Sequence, residues 1–350
     1  MGSDRLWVVT GATGFVGGAV VRELAQRGER TRAVWRRRSR LEALPIAEFG
    51  GVIEEAQAEL GDVAALTRAF TGAPGEEVVV VHAAALVSIY REGEPGLART
   101  NVEGTRHVVE ACRAAGVRRL VYVSSMEAIE PPPEGVPLRE PARFSADLVW
   151  GPYAKTKAEA TRLVLTASGL DTVAVLPTGV LGPGPGTGNH TRELVRALAS
   201  GEVPALLPGG FDIVDVRDVA KGVVLAAEKG RSGQAYLLSG EFASLTRLAR
   251  LVKGVVGVRV PPTIPALVAQ LAAPVSEVVY KVAGRTPLLT RYSLRVLANS
   301  REVSSDRAWS ELGYVSRPLA ETVRDTIDWL VQNEGTVLRV RHSQENRPRS

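Results

Sequence analysis

Leu6-Trp-Val-Val9 is a run of four apolar residues that leads through Thr10 into Gly11-Ala-Thr-Gly14-Phe-Val-Gly17. The run has the length of a buried strand and is too short to be a helix by itself. Val16, Val20 and Leu24 then recur at helical spacing up to Gly28, a C-cap signal. Strand, glycine turn and helix in that order make the geometry of a diphosphate site. Gly11 permits the tight turn, Gly14 lets backbone N–H groups approach the phosphates, and Gly17 lets helix and strand pack closely, so that the anion sits at the positive end of the helix. Thr13, Phe15 and Val16, between those glycines, are candidates for the same contact. An ordinary βα turn can also be rich in glycine; the strand before and the helix after favour a dinucleotide.

The rest of the first half repeats the strand–helix alternation. Thr31–Trp35 reads as a second strand, 52–58 as a third, 78–81 as a fourth, 119–123 as a fifth and 172–176 as a sixth. Helical patterns lie between them: 63–70 with Asp62 as N-cap, 105–115 ended by Gly116, and 152–168 closed by Gly169. Repeated βα units imply a doubly wound parallel sheet with helices on both faces, whose loops at the carboxyl edge carry function. The expected division is a nucleotide-binding domain over 1–177, joined by returning segments from about 211–240, and a smaller, mostly helical substrate lobe over 178–331. The glycine- and proline-rich stretch 179–188 reads as a functional loop, and 334–350 as a disordered basic tail.

Charge narrows the partners. The net charge of +5 is largely local, gathered at Arg30, Arg32, Arg36, Arg37, Arg38 and Arg40 and again in the tail, with no aromatic–basic interleaving. That argues against nucleic acid. The single cysteine, Cys112, excludes an internal disulfide framework and sits in a helical apolar pattern, as core. The N-terminus lacks a signal peptide's apolar core, and the most apolar later stretch, 258–282, is broken by prolines and charges. A cytoplasmic protein without a membrane span is the expectation. His107 and His190 have no companions at ligand spacing, so no metal is expected. Asp215 and Asp218 read as a helix start rather than as paired catalytic carboxylates.

Tyr153 and Lys157 stand four apart at the start of a predicted helix and share a face. A free tyrosine titrates near ~10, and a neighbouring ammonium favours its phenolate, which makes the pair a serviceable general acid/base for an alcohol–carbonyl interconversion. Such pairs also occur on any helix surface. The context raises this one, because Ser124 and Ser125 end a strand of the same sheet and bring hydroxyls to its carboxyl edge.

Thr10–Gly17, the Ser-Ser-Met-Glu-Ala run from Ser124, and Tyr153-Ala-Lys-Thr-Lys157 together resemble the extended short-chain dehydrogenase/reductase family, of the NAD-dependent epimerase/dehydratase type. The likeness is greatest to its dihydroflavonol 4-reductase and 3β-hydroxysteroid dehydrogenase-like branch. It continues through Asn101-Val-Glu-Gly-Thr105, Pro177-Thr-Gly-Val-Leu-Gly-Pro183, Asp215-Val-Arg-Asp218 and Glu311-Leu-Gly-Tyr314, and so covers roughly residues 5–331. The resemblance implies a Rossmann-type sheet and a catalytic triad of Ser125, Tyr153 and Lys157, with Ser124 as the less favoured serine. Ser125 would hold the substrate oxygen, Tyr153 would exchange the proton, and Lys157 would lower the Tyr153 pKa and bind the nicotinamide ribose. It also implies that Glu59 and Leu60 lie near the adenine, that Ala83, Ala84 and Ala85 line the cofactor beside a structural His82, and that Pro177, Gly179 and Val180 close over the nicotinamide.

The end of the second strand has no carboxylate to hold a ribose 2′-hydroxyl; it reads Trp35-Arg-Arg-Arg38, with Arg36 where the reductase branch has its arginine. A guanidinium fork suits a 2′-phosphate, so NADP is preferred over NAD. Three functions stay open: an NAD(P)-dependent oxidoreductase acting on a hydrophobic carbonyl/alcohol pair, a nucleotide-sugar epimerase or dehydratase holding NAD tightly, and a non-catalytic dinucleotide sensor. The small apolar residues of 258–282 favour the first. The resemblance further implies a homodimer through the helices 105–115 and 152–168.

Overall fold

Side-chain alternation along the central strands sets up two cores back to back. The computed structural model describes residues 5–36, 44, 46–49, 51–87, 95–186, 189–265 and 302–334. In chain order its first elements are β1 (Arg5–Thr10), α1 (Phe15–Gln26), β2 (Thr31–Trp35), α2 (Ile46–Phe49), β3 (Ile53–Gln57), α3 (Val63–Phe70) and β4 (Glu77–His82). A π turn over Arg99–Glu103 leads into α4 (Gly104–Ala114), followed by β5 (Arg119–Val123), α5 (Pro152–Leu165) and β6 (Asp171–Pro177). Then come β7 (Gly179–Leu181), α6 (His190–Ala199), β8 (Gly210–Asp215), α7 (Val216–Lys229), β9 (Gln234–Leu238), β10 (Glu241–Ser244), α8 (Leu245–Val256) and a last helix, α9 (Leu319–Glu334).

The main sheet runs β3-β2-β1-β4-β5-β6-β9, and every pair in it is parallel. On β1, Leu6 and Val8 join one core while Trp7 and Val9 join the other; β4 repeats this with Val78 and Val80 against Val79 and Val81. Strands buried on both faces read as continuous apolar runs, which is why these segments are so plain in the sequence. The first core faces α3, α4 and α5, and the second faces α1 and α7.

Local signals place several ends. Asp62 caps α3, its carboxylate accepting from Ala65 N at 2.8 Å. Past α1, Gly28 is left-handed at φ 72°, and Glu29 N reaches back to Leu24 O while Gly28 N reaches Ala25 O, a Schellman closure. Asp215 caps α7 through Arg217 N, and Asp218 grips Arg317 at 2.8 Å, so both aspartates are structural. Cys112 is fully buried in the first core.

The second half departs from a simple reading in one respect. The stretch expected as a loop from residue 179 opens with β7, which pairs with β8 in a second sheet ordered β10-β8-β7. Its core, with Leu181, Ile213, Leu248 and Ile327, is closed by α6, α8 and α9. Short strands between glycines carry too little apolar periodicity to show as strands, and pairing alone defines them. The tail beyond residue 334, the stretch 266–301 and Arg37, Arg38 and Arg40 lie outside the described residues. Among the described residues no helix is long and apolar enough to cross a membrane.

Candidate active site

The glycine turn lies at the carboxyl end of β1 and is built so tightly that side chains are excluded. Gly11 takes φ 68°, and a Cβ there would come 2.6 Å from Ala84 N and 2.8 Å from the Ala83 carbonyl carbon. A Cβ on Gly17 would lie 2.2 Å from Gly11 O. Gly14 is the N-cap of α1 and offers no side chain to the first-turn N–H groups, and that turn carries no acidic residue. Free amide donors at a helix start, reached through glycine alone, fit a dinucleotide diphosphate. Thr13, Phe15 and Val16 occupy this turn, and Ala83, Ala84 and Ala85 pass beside it after β4.

The residues expected at the adenosine end lie just past β2 and β3. Arg30 and Arg32 are taken up by ion pairs with Glu54, and Arg30 by one with Glu76 as well. Arg36, one residue past β2, is exposed and its guanidinium has no partner among the described residues. Glu59 is exposed just past β3; Leu60 packs against Gly104 and accepts a bond from His107 Nδ1 through its carbonyl at 2.8 Å. At the other end, Pro177 finishes β6 while Gly179 and Val180 start β7, so these three residues bridge the two sheets.

The two serines are held differently. Ser124 is buried and its hydroxyl lies 2.6 Å from Thr161 Oγ1 inside the core. Ser125 caps a 3₁₀ turn over Met126–Ala128, its hydroxyl accepting from Glu127 N at 3.2 Å, and stands close to the Tyr153 phenol. Tyr153 stands in the first turn of α5, set by Gly151 at φ 95° and Pro152 at the helix start. Burial, with the nearby Glu127 carboxylate in addition, pushes the Tyr153 phenol above its ordinary range, and the neighbouring Ser125 hydroxyl only partly opposes this. The phenol is therefore a neutral donor in the free protein.

Lys157 follows one turn later on α5, 1% exposed. Its Nζ donates to Tyr122 Oη at 2.9 Å and to Val123 O at 2.8 Å, and burial brings the ammonium down to about 7. The resemblance implies that Lys157 lowers the Tyr153 pKa; in the structure burial and Glu127 govern Tyr153, and the ammonium is engaged by β5. His82, at the end of β4, is fully buried and brought down to about 3 by burial and then by the Lys157 charge, so it is neutral. Among the described residues no three His, Cys, Asp or Glu side chains gather to hold a metal ion.

Sequence reasoning passed over Tyr122 and Arg192. Tyr122 pairs with His82 across β4 and β5, and two hydrogen-bonding side chains facing each other on central strands were the available signal. Arg192, on α6, donates to Gly184 O at 2.5 Å and to Gly186 O, and its guanidinium lies between the rings of Phe15 (5.2 Å) and Trp329 (4.9 Å). Nothing local in the sequence links residues so far apart.

A parallel α/β sheet with a glycine cradle at its carboxyl edge, beside a neighbouring serine and tyrosine, defines the class of dinucleotide-dependent enzymes. The model of the NAD dependent epimerase/dehydratase family matches residues 7–239, and the chain belongs to that family. It is 32% identical to sterol demethylase protein B of Methylococcus capsulatus over 92% of this chain and 97% of that one. It is also 32% identical to human 3 beta-hydroxysteroid dehydrogenase type 7, over 88% of this chain and 90% of that one. Among solved structures, that of gox2253 superposes with a TM-score of 0.76 at 35% identity, covering 93% of this chain and 98% of that one.

Proposed function

We propose that this protein is an NADP(H)-dependent oxidoreductase that interconverts a carbonyl and an alcohol on a hydrophobic small molecule through Ser125, Tyr153 and Lys157. The observation that carries the reading is the Tyr153 phenol, kept neutral by burial and close to the Ser125 hydroxyl at the carboxyl edge of the sheet. The bound dinucleotide would supply or take up the hydride. Ser125 would donate to the substrate oxygen and stabilise the charge that develops there, and Tyr153 would give that oxygen its proton in reduction. In oxidation Tyr153 takes the proton back, and Lys157, one turn further along α5, would bind the nicotinamide ribose.

Arg36 supports NADP over NAD: its neighbours Arg30 and Arg32 are consumed by carboxylates, while its guanidinium is available to a 2′-phosphate. Two relatives carry sterol chemistry in their names, which supports a hydrophobic substrate. The family's epimerases and dehydratases give a second reading, in which NAD is retained. Absorbance of the purified protein distinguishes them, since retained NAD accompanies the second. Tyr153→Phe is expected to bind NADPH as the wild type does in a fluorescence titration and to lose turnover across a panel of ketones and aldehydes. A variant that keeps near-wild-type kcat refutes the assignment.

A further inference from the structure

Lys157 is held from behind by Tyr122, whose ring packs on a buried histidine with hydrogen bonds that fix one tautomer. Thr105 Oγ1 donates to Asn101 O at 2.7 Å, so its oxygen can only accept from other partners. His82 Nε2 lies 3.0 Å from that oxygen and must therefore carry the hydrogen, which leaves Nδ1 to accept from Thr10 Oγ1 at 2.8 Å. The Tyr122 ring lies against this histidine, with centroids 5.5 Å apart. An ammonium has no lone pair, so at 2.9 Å the Tyr122 oxygen accepts from Lys157 Nζ. Tyr122 is 1% exposed and His82 is fully buried, so no water competes for these places.

We infer that Tyr122 is a positioning residue for Lys157: its oxygen, held in the core with its ring against His82, fixes the ammonium so that one N–H is left to face the cofactor. An ammonium has three donors, and Tyr122 Oη and Val123 O take two of them. The Tyr122 ring adds to the hold, with Nζ 4.5 Å from its centroid. Without the phenol oxygen, the second N–H would be buried with no acceptor, and the side chain would turn to find one. The inference rests on the reading of Lys157 as a cofactor-binding member of the triad.

The test is a double-mutant cycle read by NADPH and NADH titration, with turnover of the best ketone or aldehyde of the panel alongside. Tyr122→Phe keeps the ring and removes only the acceptor; it is expected to weaken NADPH binding and lower kcat/KM by roughly tenfold or more. In a Lys157→Met background the same change is expected to cost less than about twofold, because its effect runs through the ammonium. A purely structural role for Tyr122 would cost as much in both backgrounds, and that additivity overturns the inference. If Tyr122→Phe does not fold, as judged by circular dichroism, Tyr122→Leu, which also removes the acceptor, takes its place in the cycle with the same expectation. An effect of Lys157→Met with none from Tyr122→Phe overturns the positioning role alone. No effect of Lys157→Met on binding or turnover overturns the triad reading and the inference with it.

Discussion

Removing the charge of Lys157 should change how stability depends on pH, and the size of the change follows from its burial. An ordinary lysine titrates at 10.5, and Lys157 in the folded protein at about 7. The unfolded chain keeps this proton throughout that interval while the folded chain gives it up, so the folded state gains stability as pH rises from 7 to 10.5. At ~1.4 kcal/mol per unit, the burden of the buried ammonium approaches about 5 kcal/mol below neutrality and falls to about 2 kcal/mol at pH 9. Lys157→Met carries no such burden. Its stability relative to wild type should therefore decline by about 2 kcal/mol between pH 7 and pH 9. The lost bonds to Tyr122 and Val123 shift the absolute difference but leave its slope intact, since His82 and Tyr122 stay neutral in both proteins. Urea unfolding of the cofactor-free proteins, followed by tryptophan fluorescence at the two pH values, reads the slope directly. A difference that is flat in pH, or that grows with it, refutes the account of Lys157 as an ammonium displaced by burial.

Three further outcomes follow from the geometry. Gly17→Ala puts a methyl 2.2 Å from Gly11 O, so α1 must shift; a cost of about 1–3 kcal/mol in urea unfolding and a weaker NADPH titration are expected. Arg36→Glu should weaken NADPH binding by roughly tenfold or more and leave NADH binding at least as strong, and equal losses for both cofactors would exclude a 2′-phosphate contact. Asp218→Ala strips Arg317 of its bidentate partner and should cost about 3 kcal/mol of stability, near the low end for a broken buried pair because Asp215 still faces Arg317 at 3.6 Å.

The nucleotide half was legible because its signals are local. Strands buried on both faces give unbroken apolar runs, Asp62 and Gly28 mark helix ends by their own chemistry, and Gly11, Gly14 and Gly17 are spaced by the turn they make. Tyr153 and Lys157 were legible as a pair for the same reason, being one helical turn apart. What they touch was hidden. Lys157 meets Tyr122 only because β4, β5 and α5 come together, and burial then reverses the shift that proximity to an ammonium would give Tyr153. The short strand β7 was hidden too, since three residues among glycines gain their identity from β8.

The packing of Phe15 between the start and the end of the chain has a consequence for synthesis. Phe15 opens the helix that follows the glycine turn, yet the guanidinium stacked on it comes from Arg192, which is sandwiched in turn by Trp329. A Cβ on Gly186 would press within 2.8 Å of the Phe15 Cα, so the same segment also covers the turn from outside. A ribosome that has completed the main sheet at β9 has therefore released Gly186 and Arg192 but not Trp329. The stack on the first turn gains its outer ring only when translation is nearly over.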